Sequence, residues 1–357
     1  MIPRVAMIGS GYDGCNYYRI MLPAWHNGFF LDRPTLAHPR GSIDEIKALL
    51  DSADIVVFHR PESQEYHDLA DILKDKGKKI VMDNDDTFKL DDIHPLARFK
   101  PDGKWVKKLN ERDDSIDRFI EKADLVTTTT NNLAYEYMKL NNNVRILPNY
   151  IDPMEIDTVL KNTAEKVRIG MVGSVSYEYD YLHLKPLLRE LSERDDVSVV
   201  MFGLGSKEHR EQNPLVTKAF KEEYKFWDNL NIEHIPWCQM NEYYNTLNKA
   251  RLDLMLIPRK ENYFNRCKSN IKFLEAALLE IPCIAQSFEG GPYEEIEDFE
   301  TGIKVKDNSL WKQYVNELIA KPELRRKIGK QANEYALKKY NIEDHAGEWA
   351  RAYSLLL

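Results

Sequence analysis

The stretch Arg259-Lys-Glu-Asn-Tyr-Phe-Asn-Arg-Cys-Lys-Ser-Asn-Ile-Lys-Phe-Leu-Glu-Ala-Ala-Leu-Leu-Glu-Ile-Pro-Cys-Ile-Ala-Gln286 decides the fold. It begins where an apolar, β-prone run, Leu252 to Ile257, stops. A polar, cation-rich loop leads into a helix expected over Ser269 to Glu280. Pro282 ends that helix, and Cys283 to Ala285 is β-prone again. Strand, helix and strand in this order form a βαβ unit and imply a parallel sheet. At the helix start, backbone N–H groups without helical partners and the positive end of the dipole suit a phosphate. Lys268 and Lys272 add full charges there, Ser269 and Asn270 stand at the start itself, and Arg259 opens the loop. Glu275, roughly two turns in, is within reach of a ribose hydroxyl. An ordinary crossover with a solvated, charged helix fits the local pattern equally well.

The same alternation extends outward in both directions. In the first half, strands are expected at Val5–Ile8, Ile55–Phe58, Lys79–Met82, Leu125–Thr128 and Val144–Leu147, with helices at Glu65–Lys76, Glu111–Lys122 and Asn132–Leu140. A hinge-like stretch, Pro148-Asn-Tyr-Ile-Asp-Pro153, and a loose polar segment to Glu165 follow. The pattern then restarts: Val167-Arg-Ile-Gly-Met-Val-Gly-Ser174 mirrors Val5-Ala-Met-Ile-Gly-Ser10, each a strand ending in a glycine turn. Further strands are expected at Val197–Phe202, Ile232–Ile235, Leu252–Ile257 and Cys283–Ala285. Two such starts predict two Rossmann-like α/β domains. The expected boundaries are 1–150 and 166–340, with 341–357 packing back across the junction. The last two helices are read at Glu323–Lys339 and Glu343–Leu355.

At 357 residues the chain has room for two domains. Its net charge of −8 advertises no polyanion partner for the molecule as a whole. Cys15, Cys238, Cys267 and Cys283 are far apart and form no Cys-x-x-Cys pair, which speaks against a disulfide framework or zinc site. The first residues enter a strand without a signal-peptide layout, and no apolar run approaches bilayer-spanning length. A cytoplasmic protein without a membrane span is expected, in the host cytoplasm if the gene is viral.

Several segments of the first half bear chemistry. Gly9-Ser-Gly-Tyr-Asp-Gly14 satisfies Gly-x-Gly-x-x-Gly after a strand, with Asp32 near the ribose-binding offset of a dinucleotide site. Two features weaken that reading: the bulky run Cys15-Asn-Tyr-Tyr-Arg-Ile20, and Arg33-Pro34 directly after Asp32. A turn at Gly11 that lets a sugar approach the backbone fits better. Asp83-Asn-Asp-Asp86 follows a strand at the carboxyl edge where open sheets bind ligands. Asp85 and Asp86 could orient an acceptor hydroxyl as general base, bind sugar hydroxyls or hold a cation; capping of the loop is the plainer alternative. His59, with Arg60, is placed just past a strand for contact with an acceptor. Arg98-Phe-Lys-Pro-Asp-Gly-Lys-Trp-Val-Lys-Lys108 interleaves cations with aromatics, as a nucleic-acid-tracking loop does, and also as a basic surface loop with a buried Trp does. In the second half Gly173-Ser174 and Gly203-Leu-Gly205 each follow a strand. Trp237 either packs on a base or joins the core.

Taken together, these residues resemble the GT-B glycosyltransferases, specifically the large retaining group often termed group 1. The resemblance is carried by strand-Gly173-Ser174, Gly203-x-Gly205 and Lys268-Ser-Asn-x-Lys-x-x-Glu275-Ala-Ala-x-x-x-x-Pro282-Cys-Ile-Ala285 in the family's order, with Ile146-Leu-Pro-Asn-Tyr-Ile-Asp152 as its interdomain link. It implies two Rossmann-like domains facing across a cleft, the nucleotide on the C-terminal one, the acceptor on the N-terminal one, and a last helix returning to the latter. Gly173, Ser174, Gly203, Gly205, Trp237, Arg259, Ser269, Asn270 and Glu275 would then bind the donor. Lys268 and Lys272 would face its diphosphate. Gly11, Tyr18, Arg19 and His59 would face the acceptor, with Asp85 and Asp86 at the chemistry. One departure stands out. The family commonly carries two glutamates in this motif; Glu275 matches the second, and Cys267 occupies the place of the first, which usually contacts the donor sugar.

The resemblance further implies a nucleoside-diphosphate sugar as donor, UDP the expected nucleotide, and no required metal or cofactor. Tyr17-Tyr18-Arg19 and the Asp83–Asp86 cluster resemble a subgroup frequent in phage and bacterial genomes, some of whose phage members modify hydroxymethylated pyrimidines in DNA. Acceptors to weigh are therefore such DNA, with Arg98 to Lys108 as its contact, or a glycan. A nucleotide-sugar epimerase of the same architecture, an NAD-dependent oxidoreductase built on Gly9–Gly14 and a non-catalytic nucleic-acid-binding protein are the alternatives.

Overall fold

The computed structural model of the chain describes residues 3–9, 11, 13–32, 42–87, 89, 104–173 and 178–357. Its first sheet comprises β1 (Val5–Ile8), β2 (Phe30–Leu31), β3 (Ile55–His59), β4 (Lys79–Asp83), β5 (Leu125–Thr128) and β6 (Val144–Ile146), in spatial order β2-β1-β3-β4-β5-β6. The second comprises β7 (Val167–Val172), β8 (Val197–Leu204), β9 (Glu233–Pro236), β10 (Leu254–Ile257), β11 (Cys283–Gln286) and β12 (Ile303–Val305), in order β12-β11-β10-β7-β8-β9. All pairings are parallel. A parallel sheet covered by helices on both faces needs apolar side chains on both. Accordingly, Ile55-Val-Val-Phe-His59 and Leu254-Met-Leu-Ile257 are buried at every position. The expected α/β architecture, two Rossmann-like sheets with a C-terminal return, is the observed one.

The differences in detail have local causes. β2 and β12 were not expected, because two and three residues are too short to show a period. The strand read from Leu252 starts at Leu254, since Arg251 turns the chain at φ 48°. The helix read as Ser269–Glu280 spans Ile271–Leu278, and Glu280 at φ 52° turns the chain before Pro282. The Glu111–Lys122 helix begins at Lys104 instead. The second half of the basic-aromatic loop is therefore helical backbone, while residues 98–103 and the side chains of 104–108 lie outside what is described.

The C-terminal return is two helices, Ile342–His345 and Gly347–Ser354, rather than one. They pack on the Leu22–Asn27 helix, where Asn27 Nδ2 donates to the Ala346 carbonyl at 2.8 Å. Tyr150 of the linker stacks on His345 and donates to Glu348 at 2.8 Å. As a result one apolar core runs from Val5 and Met7, through Tyr17, Ile20 and Trp349, to Phe202 and Phe273 of the second domain.

At the centre of this junction, Gly14–Asn16 is one α turn, Tyr17–Met21 a π-helical turn, and Leu22–Asn27 α-helix again. Such π turns are uncommon and occur mostly at functional sites. Wedged between sheet, linker and second domain, three successive side chains are buried and each binds a different body. Tyr17 donates to Glu155 of the linker at 2.5 Å, and Tyr18 donates to Glu275 of the second domain at 2.9 Å. Arg19 donates to both Asp83 oxygens, at 3.0 and 2.7 Å, and to the Leu147 carbonyl at 2.5 Å. Thr127 completes the Asp83 site at 2.6 Å. Arg19 is fully buried, so its expected contact with an acceptor is corrected: the guanidinium joins sheet to linker.

Breaking a fully desolvated ion pair by removing one partner strands the other charge, at about 3–5 kcal/mol. Arg19→Met is expected to lower the unfolding free energy by about that much, read from urea denaturation. Wild-type stability in this variant would rule out the pair as the junction's anchor.

Candidate functional site

Both sheets aim the carboxyl ends of their strands at one another, and the space between them is a cleft with an empty volume of about 1220 Å³. Open parallel sheets bind ligands where the strand order reverses. In the first sheet that point lies between β1 and β3, whose following loops carry Asp13–Cys15 and Arg60. In the second it lies between β7 and β10, whose loops carry Gly173 and Arg259. All of these line the cleft.

On the second domain's side, Gly203 sits at φ 112°, and a Cβ there would meet the Gly173 carbonyl oxygen at 2.6 Å. The Gly173 N–H donates to Phe202 O at 2.9 Å. Two glycine loops thus touch, leaving bare backbone facing the cleft. Ser174 lies outside the described residues. Gly205 is not on the cleft wall, because its carbonyl is turned to Arg210 Nε at 3.0 Å. Trp237 stands at the rim, 55% exposed, a flat apolar face on which a base can stack rather than a core residue.

The cations reach the cleft already partnered. Arg259 pairs with Asp180 at 2.7 Å, and Asp180 also accepts from the Lys260 N–H and Asn265. Lys272 donates to Glu275 at 2.8 Å and to the Tyr243 hydroxyl at 3.0 Å. Lys268 crosses to the first domain, 2.6 Å from Asp86, with its ammonium over the Phe264 ring. Ser269 Oγ accepts from Asn149 of the linker at 3.0 Å. Asn270 precedes the Ile271–Leu278 helix but does not cap it; its side-chain amide is bound to Glu295 instead, and Ile271 lines the cleft.

On the first domain's side the readings need more correction. The His59 side chain has no exposure and lies beneath Asp85, Nε2 at 3.4 Å, so it orients that carboxylate rather than meeting an acceptor. Asp85 is gripped by Arg60 Nε at 2.7 Å. Burial works against its charge, yet Arg60 and His59 hold its carboxyl well below the usual range. A carboxylate so stabilised is a poor proton acceptor, which removes Asp85 as a general base. Asp86 does face the cleft, in its pair with Lys268. Asp83, Asp85 and Asp86 diverge towards different partners. Among the described residues, no three His, Cys, Asp or Glu side chains are placed to share a metal ion.

The Gly9–Gly14 turn is filled from within. Asn16 occupies the space where a Gly9 Cβ would lie, 2.2 Å from its Oδ1, and the Gly9 N–H donates to Asp32 at 3.1 Å. Asp32 is therefore sealed under the turn and unavailable to a dinucleotide ribose. Gly11 is not on the cleft wall, whereas Asp13, Gly14 and Tyr18 are. Tyr18 meets Glu275, a residue read for the donor, and not an acceptor region of its own. Tyr243, Asp180 and Asn149 were missed altogether, because no local pattern marks a tyrosine inside a helix or a linker asparagine.

Fold and site together define a two-domain α/β enzyme with a cation-rich interdomain cleft. The sequence model for glycosyl transferases group 1 matches residues 154–335, just over half of the chain, and the protein belongs to that family. It is a glycosyltransferase. No curated protein matches by sequence. Solved structures do: an α-glucosyltransferase in complex with UDP-glucose and DNA containing an abasic site aligns at 14% identity over 99% of both chains, TM-score 0.66. Sucrose-phosphate synthase from Thermosynechococcus elongatus aligns at 13% identity over 99% of both, TM-score 0.65. Alr3699/HepE from Anabaena, in complex with UDP-glucose, aligns at 12% identity over 99% of this chain and 100% of that one, also at 0.65. At such identities the likeness establishes the GT-B fold alone.

Gly203→Ala puts a methyl against the Gly173 carbonyl at a strained φ, at about 1–3 kcal/mol if the loops do not move. Relief requires the glycine loops to part. Weakened nucleoside-diphosphate binding with the fold intact is the expected result, by calorimetry and circular dichroism. Unchanged affinity would place the ligand elsewhere.

Proposed function

We propose that this glycosyltransferase moves a sugar from a nucleoside-diphosphate sugar, with UDP as nucleotide, to an acceptor hydroxyl with retention at the anomeric carbon. The observation that carries the reading is the convergence of Arg259, Lys272, Lys268 and an uncapped helix start beside the Gly173–Gly203 contact. Residues 166–340 would hold the donor, 1–150 the acceptor, and 341–357 would tie the two together. The complexes of structural neighbours with UDP or UDP-glucose support the choice of nucleotide. No metal or cofactor is required by this scheme.

In the reaction, the bond between the sugar's C1 and the phosphate oxygen breaks, and its electron pair stays on the diphosphate. A bond from the acceptor oxygen to C1 forms on the same face, and the acceptor's proton passes to the departing diphosphate oxygen. Negative charge grows on the diphosphate, and fixed cations and backbone N–H groups in a water-poor cleft stabilise it without reorganising. Lys268, Lys272 and the helix start are those groups. Asp86, facing the cleft from the first domain, would orient the acceptor hydroxyl. Trp237 offers its face to the base, and Glu275 accepts from the ribose.

For the acceptor, the first to test is a hydroxymethylated pyrimidine in DNA, ahead of a glycan hydroxyl. Its support is the DNA complex of one structural neighbour and the basic-aromatic composition of Arg98 to Lys108. No described helix is long and apolar enough to cross a membrane, and a cytoplasmic reaction is the accompanying proposal.

Incubation with UDP-glucose and either hydroxymethylated DNA or oligosaccharides, followed by mass spectrometry, should reveal a hexosyl adduct on one acceptor class. A thermal shift with NAD and none with UDP or its sugars would sink the reading. Lys272→Ala is expected to lower kcat by roughly a hundred- to a thousandfold, by analogy with the loss of an oxyanion donor. Glu275→Ala should instead weaken UDP binding, on the order of tenfold, as for a hydrogen bond to a charged group. Unchanged kinetics in both variants would remove the donor-site assignment.

A further inference from the structure

The Glu275 carboxylate is buried at the cleft wall and receives protons from both domains. Oε2 accepts from Tyr243 at 2.6 Å and Lys272 at 2.8 Å, both of its own domain. Oε1 accepts from Tyr18 at 2.9 Å, from the π turn of the other. The Tyr18 hydroxyl also lies 2.7 Å from that of Tyr244. A phenol has one proton; with Tyr18's on Glu275, Tyr244 must donate to Tyr18. The proton chain therefore runs Tyr244 to Tyr18 to Glu275. Burial raises all three tyrosines, 18, 243 and 244, well above the ordinary phenol range, so they remain donors at any physiological pH.

An ionised carboxylate offers about four lone-pair sites. Three are engaged, which leaves room for about one more donor, and Glu275 lines the cleft. A hydroxyl is the natural occupant, since another cation would crowd Lys272. The rotamer of Glu275 is fixed from opposite sides: by Tyr243 and Lys272 on its own domain, and by Tyr18 across the junction. Without Tyr18, Oε1 would lose its described protein donor and the carboxylate could turn towards Lys272.

We infer that Tyr18 is a positioning residue of the donor site, holding Glu275 from the opposite domain in the orientation that receives a ribose hydroxyl. This rests on the donor reading proposed above. Its consequence is that the nucleotide site is complete only when the two domains are together. Tyr18, placed by sequence among the acceptor contacts, belongs to donor recognition.

The test compares UDP with 2′,3′-dideoxy-UDP, which lacks the ribose hydroxyls, by titration calorimetry on the full chain. Wild type should prefer UDP about tenfold or more, as a hydrogen bond to a charged group implies. Tyr18→Phe keeps the ring and removes the hydroxyl; it should reduce that preference to about threefold or less, through weaker UDP binding. In turnover, KM for the sugar donor should rise while kcat falls less. A preference retained in Tyr18→Phe would overturn the inference and leave the donor reading standing, Tyr18 being packing alone. A wild type that binds UDP without preferring it over the dideoxy ligand would overturn this inference and leave UDP as the nucleotide; one that binds neither would overturn the donor reading and this inference with it. If Tyr18→Phe does not fold, Tyr244→Phe, which withdraws the proton given to Tyr18, is read by the same ratio.

Discussion

The buried pair between Arg19 and Asp83 is the constraint on which the rest of the molecule depends. Its two charges have no solvent exposure, so each is tolerable only because the other is present. Asp83 ends β4 and receives Thr127 from β5; Arg19 adds the Leu147 carbonyl at the end of β6. Three neighbouring strands and the first turn of the interdomain linker are thereby locked to a single helical turn. The residues on either side of Arg19 then have no freedom of direction. Tyr17 must point at the linker's Glu155 and Tyr18 at the second domain's Glu275. A salt bridge that contributes modestly to net stability can still fix geometry, and here it fixes the entry of the first domain into the cleft.

The cleft's electrostatics follow a common rule. Arg259 faces Asp180, Lys272 faces Glu275, Lys268 faces Asp86, and Arg60 faces Asp85. Unpartnered charges at such partly buried positions would be expensive, so each cation is kept ordered by a carboxylate until a ligand arrives. On the proposed donor reading, a diphosphate would meet preorganised cations and would not have to gather mobile ones. One of the four pairings differs in kind. Arg259–Asp180 and Lys272–Glu275 lie within the second domain, while Lys268–Asp86 crosses between domains. An anion drawing Lys268 towards itself also draws on the bond that joins the domains, and binding and closure share that ammonium.

Much of this was legible in the sequence, and the limit of legibility is physical. Long, doubly buried strands are apolar runs bounded by polar loops, so β3, β4, β8 and β10 could be read within a residue or two. That Lys268, Lys272 and Glu275 share one cleft was also readable, because loop and helix are contiguous. What failed was direction. Arg19 in its helical turn and His59 at a strand end are both turned inward to partners distant in sequence, and Asp85, on the cleft wall, is held by Arg60. Local pattern says that a charge follows a strand; it does not say which way the side chain points. Tyr243 and Asp180 matter only because they meet Glu275 and Arg259, and that pairing exists only in three dimensions.

Cys267 shows what such pairing does to a familiar motif. It stands where the resemblance to group 1 enzymes leads one to expect a glutamate, and its side chain is fully buried in the apolar core of the first sheet. Burial pushes the thiol up to about 12, so it stays neutral. Its carbonyl accepts from Thr130, the preceding carbonyl of Arg266 accepts from Asn132, and Tyr263 is bound to Glu136. The front of the donor motif is therefore stitched to the first domain along a seam that begins before Lys268. A carboxylate at position 267 would have to leave that core or lose its charge, since neither is tolerated in an apolar interior. The cysteine is thus the residue that lets the seam exist. On the proposed donor reading, the sugar would have to be recognised by groups that remain in the cleft, where Lys268 holds the Asp86 carboxylate.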